Sequence, residues 1–324
     1  MVSLKDIAAE LNLSISVVSR ALNPAPDANA KVASKTKKLV LDTCERMGYR
    51  RNRMAEFVKR RRFPGIGVFL PKSANSLVAN LIFGISEEAG SKDFPLLIHT
   101  GMDVDSYSDF MHNNLELAAG GIITYSGAQY QQPGVQKLLE QYCKEGGKVL
   151  ILNDCTVQGY TKLYMDEFAG GKLAAQMLID SNCQKFFCYR GEFVSSSVTQ
   201  MRYEGFSAKL AEFGATCQLV DNLVDLPKFI KNTPACGVFT VSDSYALLLI
   251  QLAAKESLHA PTDFKLVGYD DMDWASSIGL STIQQPFRQE GKRAATKIIE
   301  MIYGQEELDE ILVPTAVSRV TTKV

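Results

Sequence analysis

SLKDIAAELNLSISVVSRALN, residues 3–23, contains two short apolar repeats on either side of a break. Apolar residues recur at one-turn spacing over 7–11 and again over 17–22, which predicts two short helices. Ser14 stands in the break, where its hydroxyl can accept from the first-turn amides of the second helix. Two helices joined by so tight a turn form a helix-turn-helix, whose second helix suits the DNA major groove. Two amphipathic helices of an ordinary bundle are the alternative reading.

The exposed face of the predicted second helix suits contact with DNA. It carries Ile15, Ser16, Ser19 and Arg20. Small hydroxyl groups can reach phosphates and base edges, and an arginine can donate two parallel hydrogen bonds to guanine. This face is therefore a candidate DNA contact.

Charge is unevenly distributed along the chain. Residues 1–62 contain 14 Lys and Arg against six Asp and Glu, a net charge of +8. The whole chain carries −1, so residues 63–324 carry −9. A basic block that includes the helix-turn-helix is expected for a polyanion partner, whose counterions are released on binding. The asymmetry favours double-stranded DNA as a partner.

Length and composition exclude several classes of protein. The 324 residues allow one small module and about two further domains. No apolar run approaches the ~20 residues of a membrane span and no signal peptide is recognisable, so we expect a cytoplasmic protein. Seven cysteines, never spaced as C-x-x-C, predict reduced thiols rather than disulfides or zinc ligands. We expect no metal and no cofactor.

A third helix and a basic segment are predicted after a loop over 24–30. The inner face of this third helix would carry Val32, Leu39, Val40, Cys44 and Met47, and Gly48 would end the helix. The segment RRNRMAEFVKRRR, residues 50–62, is too short and too charged to be a stable helix alone. It is either a hinge helix that orders against DNA or a partner chain, or a flexible basic linker.

From residue 66 onward, short apolar runs alternate with amphipathic stretches. Strands are predicted at 66–70, 95–99, 121–124, 149–152, 185–189, 238–241 and 265–269. Helices are predicted at 77–90, 107–119, 136–145, 170–181, 199–213, 244–256 and 288–303. Repeated βα units predict parallel sheets covered on both faces, and two such sheets fit about 260 residues. A two-lobed body favours a ligand site between the lobes, beyond the carboxyl ends of the strands.

Polar side chains follow the predicted strands and are candidates for that ligand site. They are Lys72, Ser73, Thr124, Tyr125, Asn153, Asp154, Ser242, Asp243, Asp270 and Asp271, with Arg202 at the start of a nearby helix. Such a set suits a hydroxylated small molecule, although Asp270 and Asp271 could instead cap a helix in a solvated loop. No Ser–His or Cys–His arrangement and no metal-ligand spacing accompanies them, so we expect no enzyme activity.

Motifs along nearly the whole chain resemble those of the lactose-repressor (LacI/GalR) family. Besides residues 3–23 they are MGY (47–49), NRMA (52–55), IGV (66–68), GII (121–123), AGGKLA (169–174), RYEGF (202–206), VGYDD (267–271) and LSTIQQP (280–286). The resemblance implies a multidomain fold: an all-α helix-turn-helix DNA-binding headpiece and a two-lobed α/β effector domain of the type I periplasmic-binding-protein kind. It also implies a homodimeric transcriptional regulator whose affinity for a pseudo-palindromic operator changes when a small molecule binds.

Position by position, the resemblance assigns residue roles. Ile15, Ser16 and Arg20 match base-reading positions. The other DNA contacts are Ser3, Ser14, Ser19, Asn23 and Thr36 for phosphates, Asn52 and Arg53 in the basic segment, and Val58 where the family inserts a leucine into the minor groove. Arg202 and Asp270 match the effector clamp. Leu77, Asn153, Ser242 and Gln285 match other pocket positions, and Lys72, Ser73 and Tyr125 complete the candidate effector site.

Some positions depart from the family pattern. They are Val58 in place of leucine, Glu56 and Phe57 within the hinge, Ser242 in place of asparagine, and Leu77 and Val78 in place of aromatic residues. A ligand ring stacked on residues 77–78 is therefore less expected. Residues 315–324 show no leucine heptad, so we expect dimers rather than tetramers. Lys72 raises the hypothesis of a phosphorylated or acidic sugar, with a solvated loop lysine as the alternative.

The expected organisation is a headpiece at 1–49, a hinge at 50–64 and an effector-binding and dimerisation domain at 65–324. Its lobes would be 65–154 with 286–312, and 155–285 with 313–324. The expected function is a sequence-specific DNA-binding regulator, a repressor, controlled by a sugar or sugar derivative bound between the lobes. A cytoplasmic sugar-binding protein or sugar-acting enzyme with an incidental basic amino terminus is the alternative. An activating role also remains open.

Overall fold

A computed structural model describes residues 2–22, 32–49, 63–73, 75–125, 132–153, 157–191, 197–305 and 308–323. The predicted loop over 24–30 and the basic segment over 50–62 lie outside these ranges, and so do the predicted DNA contacts Asn23, Asn52, Arg53 and Val58. The two alternatives for residues 50–62, a hinge helix and a flexible linker, therefore both stay open. In the described ranges, no helix combines the length and the apolar character that crossing a membrane requires.

The amino-terminal headpiece consists of α1 (Leu4–Glu10), α2 (Ile15–Ala21) and α3 (Ser34–Arg46). As predicted, the Ser14 side chain caps α2, accepting from the amide of Val17 at 3.3 Å. The core is formed by Ile7, Ala8, Val18, Ala21, Val40 and Cys44. Leu39 was expected to face inward but is 50% exposed. The buried face of α3 contains Val40 and Cys44. In so small a module the other two helices cover only one narrow face of α3, and Leu39 lies beside that face.

The first lobe of the body is built on six strands in the order β11-β5-β4-β3-β1-β2. Its elements are β1 (Phe63–Pro71), α4 (Ser76–Ser91), β2 (Leu96–Gly101), α5 (Val104–Glu116), β3 (Ala119–Tyr125), α6 (Pro133–Lys144), β4 (Lys148–Leu152), β5 (Thr161–Met165), α11 (Phe287–Ile302) and β11 (Glu310–Leu312). All pairings in this sheet are parallel. Helices cover both faces, so the central strands are buried on both sides.

The second lobe has six strands in the order β12-β10-β9-β8-β6-β7, of which only β12 is antiparallel to its neighbour. Its elements are α7 (Glu167–Asp180), β6 (Lys185–Tyr189), α8 (Ser197–Glu212), β7 (Cys217–Val220), α9 (Leu226–Lys231), β8 (Cys236–Thr240), α10 (Asp243–Lys255), β9 (Phe264–Asp270), β10 (Ser281–Gln284) and β12 (Thr315–Val317). Two apolar clusters lie on opposite faces of this sheet. The two sheets predicted from the βα rhythm are thus observed, the first parallel throughout and the second parallel except for β12.

The point where the chain first crosses between the lobes differs from the expected boundary at residue 154. Strand β5 belongs to the first sheet, so the crossing follows Met165. This strand of five residues has a weak apolar signal, as do the other unpredicted strands, β7, β10, β11 and β12. The chain returns between β10 and α11 and crosses again between β11 and β12. Three crossings place side chains from both lobes around one cleft.

Candidate functional site

The second headpiece helix presents a polar face to solvent. Ser14, Ser16, Ser19 and Arg20 are exposed, and Ile15 is 45% exposed. The Nε of Arg20 donates to the carbonyl oxygen of Ser16 at 3.1 Å, which holds the guanidinium on this face. The residues predicted to contact DNA in α2 therefore lie together and accessible, as a recognition helix requires.

The two other described DNA-contact candidates begin helices. The hydroxyl and amide of Ser3 each donate to the Asp6 carboxylate at 2.8 Å, which completes a capping box and lowers the pKa of Asp6. Thr36 lies half-buried in the first turn of α3. Ser3 thus has a structural role as a cap, and the contacts of both residues with phosphate stay predictions.

Arg202, on α8, is the centre of a buried polar cluster in the body. Its Nε and Nη2 donate to the two carboxylate oxygens of Glu167 at 2.7 and 3.0 Å, and its Nη1 donates to the carbonyl oxygen of Val241 at 2.8 Å. Its guanidinium stacks 3.8 Å from the ring centroid of Tyr269, whose hydroxyl donates to Glu167 at 2.7 Å. Burial acts to lower the pKa of Arg202, but the neighbouring acidic groups, Glu167 first and then Tyr269 and Asp270, together outweigh it and raise that pKa.

Asp270 joins this cluster from the end of β9. Its Oδ1 accepts from Nε2 of Gln285 at 2.8 Å and lies 3.5 Å from Nη1 of Arg202, and Ser242 also bonds to its side chain. Burial raises the pKa of Asp270 to about 6, opposed by the charge of Arg202. Asp270 has a φ of +114°, which is strained for a residue with a Cβ. The alternative interpretation of Asp270 and Asp271 as a cap in a solvated loop is wrong, because their side chains are only 12% and 10% exposed and Asp271 pairs with Arg319 at 2.7 Å.

Tyr125, Asn153 and Glu290 form the part of the cluster that belongs to the first lobe. Nδ2 of Asn153 donates to Oε1 of Glu290 at 2.8 Å, and its side chain also bonds to the Tyr125 hydroxyl. Desolvation raises the pKa of Glu290 to about 8; the bond from Asn153 opposes this rise, and the negative charge of Glu167 adds to it. Among the described residues, no donor reaches Oδ1 of Asn153 or Oε2 of Glu290. We name these residues the inter-lobe cluster: Tyr125, Asn153, Glu167, Arg202, Ser242, Tyr269, Asp270, Gln285 and Glu290.

A cavity of about 350 Å³ adjoins the cluster and is lined from both lobes. Leu77 lines it from the first lobe, and Asp270 and Gln285 join it to the cluster. Lys72 and Ser73 are exposed on the loop after β1, and the charge of Lys72 acts instead on Asp103. Seven of the nine predicted effector residues thus belong to the inter-lobe cluster or line the adjoining cavity, and Lys72 and Ser73 do neither.

Glu167 and Glu290 are absent from the predicted site, although the sequence contains a signal for both. Each carboxylate falls on the inward face of its helix, at one-turn spacing from buried small residues such as Gly171 and Ala294. A charged residue at such a position needs a buried partner. The partner of Glu167 is Arg202, 35 positions away in sequence, which only the folded chain reveals.

The buried carboxylates make stability depend on pH. Folded-state pKa values are raised to about 8 for Glu290, about 7 for Asp243 and about 6 for Asp270. The native state then binds more protons than the unfolded chain between pH ~4.5 and ~8, so the free energy of unfolding should fall as pH rises through this window. We expect urea midpoints to decrease from pH 5 to pH 8, and less so in Glu290→Gln. Parallel profiles for the two proteins would contradict this assignment.

Comparison with known proteins supports this architecture. Residues 175–322 match the family model described as periplasmic binding protein-like domain. The ribose operon repressor of Bacillus subtilis (strain 168) is 26% identical over 317 residues, covering 94% of this chain and 93% of that protein. The lac repressor dimer bound to operator and the anti-inducer ONPF has a TM-score of 0.70 at 21% identity, covering 100% of this chain and 99% of that one. A LacI family regulator from Enterococcus faecium with bound ribose has a TM-score of 0.67 at 20% identity, covering 79% and 98%.

A helix-turn-helix headpiece on a two-lobed, periplasmic-binding-protein-like body, with a polar site between the lobes, defines the class of ligand-responsive DNA-binding regulators. The structural matches establish the fold, and the curated relatives extend over the headpiece as well as the body. Over nearly its whole length the chain is similar to proteins named as transcriptional repressors, at 24–26% identity, and it shares its fold with LacI family regulators.

Proposed function

We propose that this protein is a sequence-specific transcriptional repressor that binds its operator as a homodimer and is controlled by a sugar or sugar derivative. The observation that supports the proposal is that one chain contains both an exposed recognition helix and a buried polar site between two lobes. Its relatives include proteins named as repressors of ribose operons.

The inter-lobe cluster supports control by a small molecule because its residues belong to both lobes. Glu167, Arg202 and Asp270 come from the second lobe, and Asn153 and Glu290 come from the first. A ligand that contacts both sets binds one relative position of the lobes better than another and shifts the population toward it. We propose that the segment over 50–62 carries this shift to the headpieces, with Val58 wedged in the minor groove. No catalytic role is assigned to the cluster.

Assembly into a dimer is supported by an apolar edge of the first lobe. Strand β2 is the last strand of its sheet, and Ile98 is 43% exposed, Met102 75% and Val104 37%. An apolar sheet edge of this kind is typical of a surface that pairs with another chain. Two copies would place two recognition helices on the halves of a palindromic operator.

Binding selection on random duplex DNA with the full chain tests the proposal. We expect a palindromic consensus of roughly 14–20 base pairs. This length holds two half-sites in the major groove, with their centres about one turn of the DNA helix or a little more apart. Arg20→Ala should weaken binding to that consensus by about 1–3 kcal/mol, because it removes a base contact and leaves the fold of the headpiece intact. Lys144→Ala, a charge change on exposed α6 of the body, is the matched control and should bind as wild type does.

The selection also has outcomes that would contradict the proposal. An unchanged consensus and affinity in Arg20→Ala would remove Arg20 from base recognition. Enrichment of no sequence, with and without bound sugar and with binding that is only salt-sensitive, would mean that the basic segment attracts DNA without reading it.

A further inference from the structure

Ile15 is an exposed apolar residue at the first position of the recognition helix α2. Its side chain is 45% exposed and lies outside the core of the headpiece as described. Side chains of a helix lean toward its amino terminus, so a side chain at the first position extends past the amino end of the helix. That end of a recognition helix lies closest to the base edges in the major groove. Ile15 is therefore placed to meet a base pair directly.

The hydroxyl groups on either side of Ile15 are already engaged within the headpiece. The hydroxyl of Ser14 accepts from the amide of Val17 at 3.3 Å and shares a hydrogen bond of 2.9 Å with the hydroxyl of Ser16. Hydroxyl groups that bond to each other have less capacity left for the base edges. The amino end of α2 thus offers DNA an apolar side chain between two engaged hydroxyls.

Base pairs differ in what they present to an apolar side chain in the major groove. Purine edges present N7 with O6 or N6, cytosine presents its N4 amino group, and thymine presents a C5 methyl group. An isoleucine against polar groups would remove their water without replacing its hydrogen bonds, which is costly. Against the methyl group of thymine, the same side chain buries apolar surface on both partners. The chemistry of Ile15 therefore favours thymine.

We infer that each half of the operator contains a thymine whose C5 methyl group packs against Ile15, which makes Ile15 a specificity-determining residue. The inference deepens the proposed function and rests on it, since it assumes sequence-specific binding to an operator. Ile15 and Arg20 are five positions apart on α2. This separation is about 7.5 Å along the helix axis, or roughly two base-pair steps. The thymine should therefore lie within about three base pairs of the base that Arg20 contacts.

Deoxyuridine lacks only the C5 methyl group of thymidine and tests this contact with the purified full chain. The probe is the consensus duplex from the binding selection, in which one symmetric pair of thymines at a time is replaced by deoxyuridine. Fluorescence anisotropy at a fixed salt concentration measures the affinity. We expect one pair, within about three base pairs of the preference lost in Arg20→Ala, to weaken binding about tenfold or more. Burial of one methyl group corresponds to about fourfold in affinity, and the duplex contains two.

Variants of the headpiece assign the lost methyl contact to Ile15. Ile15→Ser removes the apolar partner and should bind the thymine and deoxyuridine duplexes with equal affinity at that pair. Ile15→Val keeps an apolar side chain and should retain most of the difference. Leu41→Ser is the matched control, because Leu41 is 47% exposed on α3 of the same headpiece. It should show the same loss with deoxyuridine as the wild type.

The outcomes separate this inference from the proposed function. A wild-type protein that binds every deoxyuridine duplex as tightly as the thymine duplex overturns the inference, whatever the stability of the variants. A loss of equal size in wild type and Ile15→Ser also overturns it. In both cases a consensus that depends on Arg20 would still support the sequence-specific regulator. A selection that yields no consensus overturns both, so the two failures are distinguishable.

Discussion

Arg202→Ala is expected to lower the free energy of unfolding by about 3–5 kcal/mol, the cost of leaving a buried charge without its partner. Glu167 would stay buried, and of its partners among the described residues the Tyr269 hydroxyl at 2.7 Å would remain. The variant also removes the donor to the Val241 carbonyl and the cation stacked on Tyr269. Urea unfolding followed by circular dichroism measures the change.

The chain offers a matched control for this substitution. Lys172 and Glu212 form an ion pair at 2.7 Å between the same two helices, α7 and α8, but their side chains are 38% and 51% exposed. Lys172→Ala should cost no more than about 1 kcal/mol, because solvent screens an exposed pair. A loss in Arg202→Ala no larger than that of Lys172→Ala would show that the buried pair does not stabilise the lobe.

A double substitution distinguishes the lost partner from lost packing. Arg202→Met with Glu167→Gln removes both charges and keeps most of the side-chain volume, so it should recover most of the stability that Arg202→Ala loses. We expect the double variant to fold but not to respond to a sugar. That result would show that the Arg202–Glu167 ion pair is required for ligand recognition and not for folding.

Gly171→Val should be among the most damaging glycine substitutions in the second lobe, with a loss of roughly 3 kcal/mol or more. Gly171, on α7, lies against the backbone of α8, and a Cβ there would overlap the carbonyl oxygen of Arg202 and approach the amide nitrogen of Phe206 at 2.8 Å. Backbone atoms cannot rotate away as a side chain can, so the two helices would have to separate. Arg202 would move with α8, and sugar binding should weaken together with stability.

Gly90→Ala is the control for Gly171→Val. Gly90 is also in a helix, α4, but a Cβ at that position meets no atom within 4 Å. Alanine should therefore stabilise the protein by up to about 1 kcal/mol, through its higher helix propensity. Thermal or urea unfolding of both variants measures the contrast, and equal effects would contradict the close approach of α7 and α8.

Much of the architecture follows from local patterns in the sequence. The apolar spacing within residues 3–23 determines two short helices, and Ser14 fixes the start of the second through its own hydroxyl. Buried strands such as β3 and β8 are continuous apolar runs, so they are predictable without their partners. These features depend on interactions between near neighbours in the chain, which the sequence displays directly.

The folded chain was needed for features that depend on distant contacts. Strand β5 has a weak signal of its own and is identified by its parallel pairing with β4 and β11, which moves the lobe boundary from residue 154 to Met165. Leu39 is exposed because α3 is covered along one narrow face, a matter of packing rather than of periodicity.

The site shows the same division. The sequence determined by itself that polar residues at strand ends would meet in a cleft, because carboxyl ends of parallel strands share an edge. Only the tertiary structure decided that Arg202 is engaged by Glu167 and that Glu290 lies buried against Asn153. The physical reason is that a side chain's charge state and free bonding capacity depend on all groups within a few ångströms, and those groups come from residues as far apart as 137 positions.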